Sequence, residues 1–394
     1  MNWFSMVAKE LAIALGDKAT RLLLVGSVVI YAFFYPYPYK LEVQTEIPVA
    51  VVDLDHSSLS RQLIRMVAAG SEVIITKRPS SFDKARDACA MGDVQGILLI
   101  PQGFQAKVLS SKEAEVSIFS DATCFFTYRQ VATDLLKTVK TLSAGIEIKR
   151  YRASGADETR ALAMANPMPL SVVQLFNQAG GYGTYVVPLV FALILQQTLV
   201  MGVGMVAGGR REMGDAAWFS AKPGFGAAAL SVLAKLAAYL VLYSIHALLY
   251  FGVLHRLYGV LERGHVAEMI LVMLLFLSAV ILMALVVAAF FKTKESSLFV
   301  LLFTSMPVIF LSGISWPIEA IPAWVRLPSF LLPSTTGIDA FVRVSIMGAS
   351  VWDLGFQVAV LTGLCVGYFL LALYLFRWPP AGRFFGKKAP QKTF

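Results

Sequence analysis

Six apolar segments dictate what this chain of 394 residues can fold into. They run at about 22–34, 184–206, 228–254, 266–291, 298–314 and 356–376. Roughly 20 consecutive apolar residues cross a bilayer as a helix, and most of these runs come near that length. The fifth is short, and the first reaches adequate length only if its helix starts before Arg21 or continues toward Tyr39. Inside lipid every backbone N–H and C=O needs an internal partner, which leaves helices or closed barrels. The runs are unbroken rather than alternating, so helices are expected. Composition agrees: 57% of residues are hydrophobic and 15% are charged, against about a quarter charged in soluble domains. Mean hydropathy is +0.68. The expected fold class is an α-helical polytopic membrane protein with six transmembrane helices and, between the first two, an inserted extracytoplasmic α/β (α+β) domain.

That insert occupies 41–182, where charges become frequent and strand-like and helix-like pieces alternate. Strands are expected at 47–52, 72–76, 96–100 and 115–119. Helices are expected from Ser57 or Ser58 to about Arg65, and over 81–91, 103–109 and 128–152. Such alternation implies a layered domain with a core of its own. Asp53 and Asp55 follow the first strand. No glycine-rich phosphate cradle and no P-loop lysine accompany them, so they read as turn formers and caps. His56 has no ligand partner at metal spacing. Cys89 and Cys124 can pair if the insert faces an oxidising compartment, which spacing alone does not decide.

Flanking charge orients the spans, because basic residues collect on the cytoplasmic side. Lys9, Lys18, Arg21, Arg210, Arg211, Lys222, Lys292, Lys294, Arg377, Arg383, Lys387, Lys388 and Lys392 flank one side. Only Arg256, Arg263, Arg326 and Arg343 fall in the short loops of the other. Both termini are therefore expected in the cytoplasm of a bacterium, with the insert outside the inner membrane. Much of the net charge of +9 is membrane-flanking, which argues for a membrane lipid surface and against nucleic acid as partner. Tyr-Pro-Tyr-Pro-Tyr at 35–39 is a poor cleavage site, so the first run reads as an uncleaved span with an aromatic belt. The expected domains are 1–40 (amino-terminal helix and first span), 41–182 (insert), 183–378 (five spans) and 379–394 (basic cytoplasmic tail).

Prolines 317, 322, 328 and 333 break the chain after the fifth run, since each removes a donor and disfavours helix before it. Trp316, Trp324, Leu327 and Phe330 are too apolar for a free loop. Short helical pieces at the interface or dipping into the membrane fit both facts. Gln196 and Gln197 lie mid-span, as glue between helices or as pathway lining. Lys235 sits near a span end where it can snorkel. Gly204 with Gly208, and Gly363 with Gly367, have the spacing of small-residue helix contacts.

Nothing in the sequence can hydrolyse ATP, and ionisable groups are nearly absent from the spans, unlike gradient-driven carriers. A motor in a partner chain is favoured. Two segments carry a resemblance to one family with such a motor. Ser312-Gly313-Ile314, then Pro317, Ile321, Pro322, Trp324, Leu332-Pro333, Asp339, Ala340 and Arg343, resemble the closing segment of type-2 ABC exporter permeases. Arg211-Glu212-Met213-Gly214 resembles the loop after the second span in that family, although Gly214-Asp215-Ala216-Ala217 departs from its usual Gly-Thr-x-Glu run. The layout resembles the drug or antibiotic efflux subgroup. The resemblance implies a cytoplasmic ABC ATPase subunit that uses ATP, no cofactor on this chain, and a second permease chain, identical or paralogous. A periplasmic adaptor often accompanies such pairs. The cargo would be a hydrophobic, amphiphilic or lipid-like small molecule. It also implies that the loop 208–226 couples to the ATPase through Arg210, Arg211, Glu212, Met213, Gly214 and exposed aromatics Trp218 and Phe219. Gly313, Trp316, Pro317, Pro322, Trp324 and Phe330, in and beside the segment 315–345, would shape an outer gate. A membrane-anchored receptor or assembly factor is the alternative, its outer domain binding a ligand or protein partner. Six spans with broken helices exceed what an anchor requires. A membrane-embedded enzyme ranks lower still, because the spans hold no clustered His, Asp or Glu.

Overall fold

A computed structural model describes residues 3–40, 42–178, 180–215, 218–220 and 222–377. The basic tail expected at 379–394 lies outside them, as do Ala216 and Ala217 of the loop. Two compact units form: Val43–Val173, and Met1–Glu42 together with Gln174–Phe394.

The first unit is a four-stranded sheet with helices on both faces. Strands β1 (Ile47–Asp53), β2 (Val73–Lys77), β3 (Gly96–Ile100) and β4 (Ser117–Ser120) lie in the order β2-β1-β3-β4. β1 is parallel to both neighbours, and only β4 is antiparallel. A central parallel strand is covered on both faces, which is why β1 reads as a continuous apolar run. Val49, Val51 and Leu98 meet Leu63, Val67, Val131 and Leu135 of the helices Ser58–Ala68 and Phe125–Ala153. On the opposite face Ala50, Val52 and Ile97 meet Ala85 and Ala88 of the helix Phe82–Ala90. A short helix, Glu158–Ala165, was not expected from the sequence.

Asp53, the last residue of β1, and Asp55 hold a turn. Asp53 Oδ1 accepts the backbone N–H groups of Asp55 (3.1 Å) and His56 (2.9 Å), and its Oδ2 accepts the Ser60 hydroxyl at 2.8 Å. Asp55 Oδ2 accepts the Gln105 N–H at 3.1 Å. These bonds carry His56 through φ +51°, in the left-handed region. Asp53→Ala strips three donors of their acceptor at once. It is expected to lower the stability of this unit by about 1–3 kcal/mol, read as earlier loss of amide-exchange protection over residues 47–68. Cys89 and Cys124 are both free thiols.

Among the described residues of the second unit, six helices are long and apolar enough to cross a membrane: Lys18–Tyr39, Tyr182–Glu212, Phe225–Leu257, Val266–Ala288, Lys294–Leu311 and Val351–Phe376. Each extends or adjusts a run seen in the sequence, and the first does start before Arg21 and continue to Tyr39. The second span packs against the fourth and fifth, and the fourth also against the third and sixth. Burial follows: 78% of the second span's apolar window is covered, but only 11% of the fifth and of the sixth. Those two leave broad faces for lipid or another chain. An amphipathic helix, Trp3–Gly16, lies along the third span.

Glu42 anchors the return of the chain to the spans. Its carbonyl accepts the Tyr182 N–H at 3.0 Å, and its carboxylate accepts both the N–H (3.0 Å) and the hydroxyl (2.9 Å) of Thr184. A carboxylate on the first-turn amides of a helix satisfies orphan donors and favours its positive end. The second span therefore starts beside the end of the first, whatever is inserted between them.

Two π-helical stretches, Leu22–Ser27 and Leu248–Leu254, interrupt the first and third spans. Such widening leaves carbonyls poorly paired. Tyr250, inside the second stretch, donates to the Val28 carbonyl just after the first at 2.7 Å.

Candidate functional site

The second span ends in a Gly cap. Gly214 adopts φ +73°, its N–H reaches the Arg211 carbonyl at 3.0 Å, and the Asp215 N–H reaches the Arg210 carbonyl at 2.9 Å. This pair of bonds, closing on a left-handed glycine, is a Schellman motif. Arg210 then reaches forward to the carboxylate of Asp215 at 3.1 Å. Arg211 reaches sideways. Its two terminal nitrogens donate to the Phe291 (2.7 Å) and Ala289 (2.8 Å) carbonyls just past the fourth span. A cation on the last carbonyls of a helix complements its negative end. The same guanidinium lies 4.7 Å from the centre of the Phe219 ring.

Trp218 and Phe219 are not the exposed plug expected from the sequence. They are 4% and 2% exposed and point back into the unit. Phe219 packs edge-on against Phe376 of the sixth span at 5.2 Å, and its carbonyl accepts the Ser231 hydroxyl at 2.8 Å. The Trp218 indole donates to Glu10 Oε1 at 3.1 Å. Aromatic area has more to gain from apolar neighbours within the chain than from water. Met213, by contrast, is 70% exposed, and Glu212 is exposed beside it.

Glu10 organises this end of the bundle. Besides the Trp218 indole it accepts Lys235 Nζ at 2.6 Å and the Tyr239 hydroxyl at 3.0 Å. The Lys235 ammonium also lies 4.1 Å from the Trp218 ring centre. Lys235 therefore does not snorkel: its side chain is 6% exposed and that of Glu10 is 5%. A buried charge of this kind is tolerated only when paired and hydrogen-bonded. Local sequence does not announce the pair: its only signals are the one acid of the amino-terminal helix, which follows Lys9, and the lone lysine in the third span.

On the other flank of the amino-terminal helix a cleft of about 600 Å³ is lined by Lys9, Asp17, Arg210, Glu212, Met213 and Lys294. The Lys294 ammonium on Asp17, with donors from Thr20, holds the Asp17 carboxyl down at about 2. Among the described residues no group of three or more His, Cys, Asp or Glu side chains is placed to hold a metal.

At the far end of the second span the proline-rich segment is built from short pieces. After Leu311 the chain turns at Gly313 (φ +81°), makes a 3-10 turn at Ile318–Ala320, a helix at Ala323–Ser329 and a longer helix at Pro333–Ser345. The last is buried along most of its length and packs on the second, fourth and sixth spans. Breaking helix at this depth frees carbonyls, and side-chain hydroxyls take them up. Thr335 donates to Leu311 O at 3.0 Å, Tyr185 to Ile314 O at 3.0 Å and Tyr368 to Leu331 O at 2.6 Å.

Of the residues assigned to an outer gate, Gly313, Pro317 and Phe330 line one cavity of about 550 Å³, with Thr336, Arg326 and Asp339. Trp316, Pro322 and Trp324 do not line it. Trp324 is 79% exposed, the position of an interfacial anchor. Gln196 Nε2 donates to Ser334 Oγ at 3.0 Å, which ties the second span to the buried helix. Gln197 Nε2 finds no partner among the described residues. Gly204 and Gly208 do meet the start of the fifth span, at Ser297 and Thr293. A Cβ on Gly363 or Gly367 would meet nothing within 4 Å among the described residues.

Spans tied at one end to a capped basic loop, and at the other to a buried half-length helix, fit a polytopic membrane permease. The chain belongs to the ABC-2 transporter family, whose profile, described as ABC-2 family transporter protein, matches residues 18–374. It is similar to YbhR of Escherichia coli strain K12, a probable multidrug ABC transporter permease, with 22% identity over 375 residues, 91% of this chain and 94% of that protein. It is also similar to LnrN of Bacillus subtilis strain 168, a linearmycin resistance permease protein, with 23% identity over 336 residues, 78% of this chain and 82% of that protein. The resemblance seen in two segments thus extends over nearly the whole sequence. Membership of the family implies a separate ATPase subunit and pairing of permeases.

Proposed function

We propose that this chain is the permease subunit of an exporter that moves a hydrophobic or amphiphilic small molecule out across the inner membrane. ATP would be hydrolysed on a cytoplasmic partner. The observation that carries this is the wiring of the loop after the second span. Arg211 fixes it to the end of the fourth span, Phe219 to the third and sixth, and Trp218 to Glu10 of the amino-terminal helix. A displacement at the exposed tip, Glu212-Met213-Gly214, therefore reaches most of the bundle. In this reading Met213 and Glu212 touch the ATPase, while Arg210, Arg211, Trp218 and Phe219 hand the movement on.

The sparsely covered fifth and sixth spans supply the face for a second permease chain, identical or paralogous, with lipid around the remainder. Cargo leaves past the cavity at Gly313, Pro317 and Phe330. The inserted unit stands outside, where an adaptor can meet it, as the distribution of flanking charge supports.

Met213→Glu tests the docking step without disturbing the core, because the side chain is exposed. It is expected to lower co-purification of the partner ABC ATPase, co-expressed as a candidate subunit, by about tenfold, since a charge is forced into an apolar contact. Undiminished recovery would remove Met213 from the interface. With Cys89, Cys124 and Cys365 replaced by serine, a Met213→Cys variant that reacts with impermeant maleimide from the far side of the membrane would overturn the orientation.

A further inference from the structure

The inserted unit contains a groove that its own fold does not need. It runs between the helix Ser58–Ala68, the short helix Phe104–Leu109 and the second half of the long helix Phe125–Ala153, and encloses about 830 Å³. Met66, Val108, Leu142 and Ile146 give it an apolar floor, and Leu109 at its edge is 75% exposed. Arg65, Lys149 and Arg150 also line it, and no lining side chain is a carboxylate. Arg150 donates to the Val108 carbonyl at 2.9 Å. None of the three cations forms an ion pair with another described residue.

A second observation concerns Gly145, which sits in the interior of that 29-residue helix and faces the groove. Glycine there costs the helix about 1 kcal/mol relative to alanine. Interior glycines usually permit close approach of a neighbour, yet a Cβ on Gly145 would meet nothing within 4 Å. What the missing side chain provides is open space over the apolar floor.

From these two features we infer that the groove binds an anionic amphiphile: one acidic head group held by Arg65 and Lys149, and an apolar tail lying over Gly145 between Leu142 and Ile146. The volume falls in the usual range of small-molecule sites, about 300–1,000 Å³, and charge complementarity selects the acid. This site is independent of the ATPase contact, and it holds whether or not the loop after the second span couples to a motor.

Photolabelling tests it on the full-length protein in phosphatidylcholine nanodiscs. The probes are diazirine-tagged palmitic acid, the corresponding uncharged alcohol, and diazirine-tagged phosphatidylglycerol built into the disc. Mapped by mass spectrometry, palmitic acid or phosphatidylglycerol is expected to label residues 58–68, 104–111 and 141–150, and which of the two does so tells a free amphiphile from a resident lipid. The alcohol is expected to label these residues about tenfold less. Gly145→Leu fills the groove with a better helix former, so it keeps the fold and is expected to cut labelling about tenfold. Arg65→Gln with Lys149→Gln is expected to abolish the preference for acid over alcohol. Label confined to the spans, equal labelling by acid and alcohol, or full labelling of a folded Gly145→Leu variant would each overturn the assignment.

Discussion

Glu10→Ala is expected to lower the stability of the purified protein by about 3–5 kcal/mol, the loss typical when one partner of a buried ion pair is removed. The substitution leaves the Lys235 ammonium buried without its carboxylate, and it strands the Trp218 indole and the Tyr239 hydroxyl, both of which donate to Glu10. Some relief comes from the Trp218 face, 4.1 Å from the ammonium, but a cation–π contact contributes only about 1–2 kcal/mol. The companion variant separates charge from packing. Glu10→Leu combined with Lys235→Met replaces the pair by apolar groups of similar length, an exchange that is often neutral or stabilising. Thermal unfolding in detergent should therefore rank the double variant well above Glu10→Ala. If Glu10→Ala unfolds at the same temperature as the unsubstituted protein, the pair does not form in the folded chain. A second readout follows from the wiring. The double variant still lacks an acceptor for Trp218 and Tyr239, so it should recover the part of the stability lost to the unpaired charge without recovering full transport.

The contrast between what could and could not be read beforehand runs along the same line. The spans were legible because hydropathy over some twenty residues is a cumulative signal. The strands and most helices of the inserted unit were legible because burial imposes a period on each. Asp53 and Asp55 were legible as turn formers because their partners lie within a few residues, apart from Gln105. Local pattern does not reach further than that. Glu10 and Lys235 are 225 residues apart in sequence, and only the fold brings them to 2.6 Å. The direction of Trp218 and Phe219 is hidden from the sequence for a related reason. An aromatic pair in a short loop fits a partner's groove and the chain's own core equally well by composition. Burial of Phe219 depends on Phe376, and that of Trp218 on an acid in the first helix. Prolines announced the break after the fifth span, but not that Pro333–Ser345 would be sunk among three spans. The small-residue motif was informative once and silent once: Gly204 and Gly208 sit at a contact, while Gly363 and Gly367 have the same spacing on a helix whose apolar window is mostly uncovered.

The sharpest consequence of that contact lies in two adjacent glycines. Gly208 and Gly209 are neighbours near the end of the second span, and by helix propensity alone either one changed to alanine should stabilise by about 1 kcal/mol. Their surroundings reverse one of the two outcomes. A Cβ at Gly208 would lie 2.3 Å from the Thr293 carbonyl oxygen and 2.5 Å from its carbon, whereas one at Gly209 would meet nothing within 4 Å. The obstacle is backbone, and Thr293 also caps the fifth span through the Ser296 N–H at 3.0 Å, so no rotamer change relieves the clash. Gly208→Ala must push the fifth span off the second, at the cost of overpacking a tight contact, about 1–3 kcal/mol or more. The shift also strains the reach of Arg211 to Ala289 and Phe291, three residues along the same helix. Gly208→Ala is thus expected to lower the unfolding temperature and weaken co-purification with the ATPase, while Gly209→Ala holds or raises the one and leaves the other unchanged. Opposite signs from neighbouring, chemically identical substitutions cannot come from helix propensity. Matching behaviour of the two variants would mean that the second and fifth spans do not approach as closely as described.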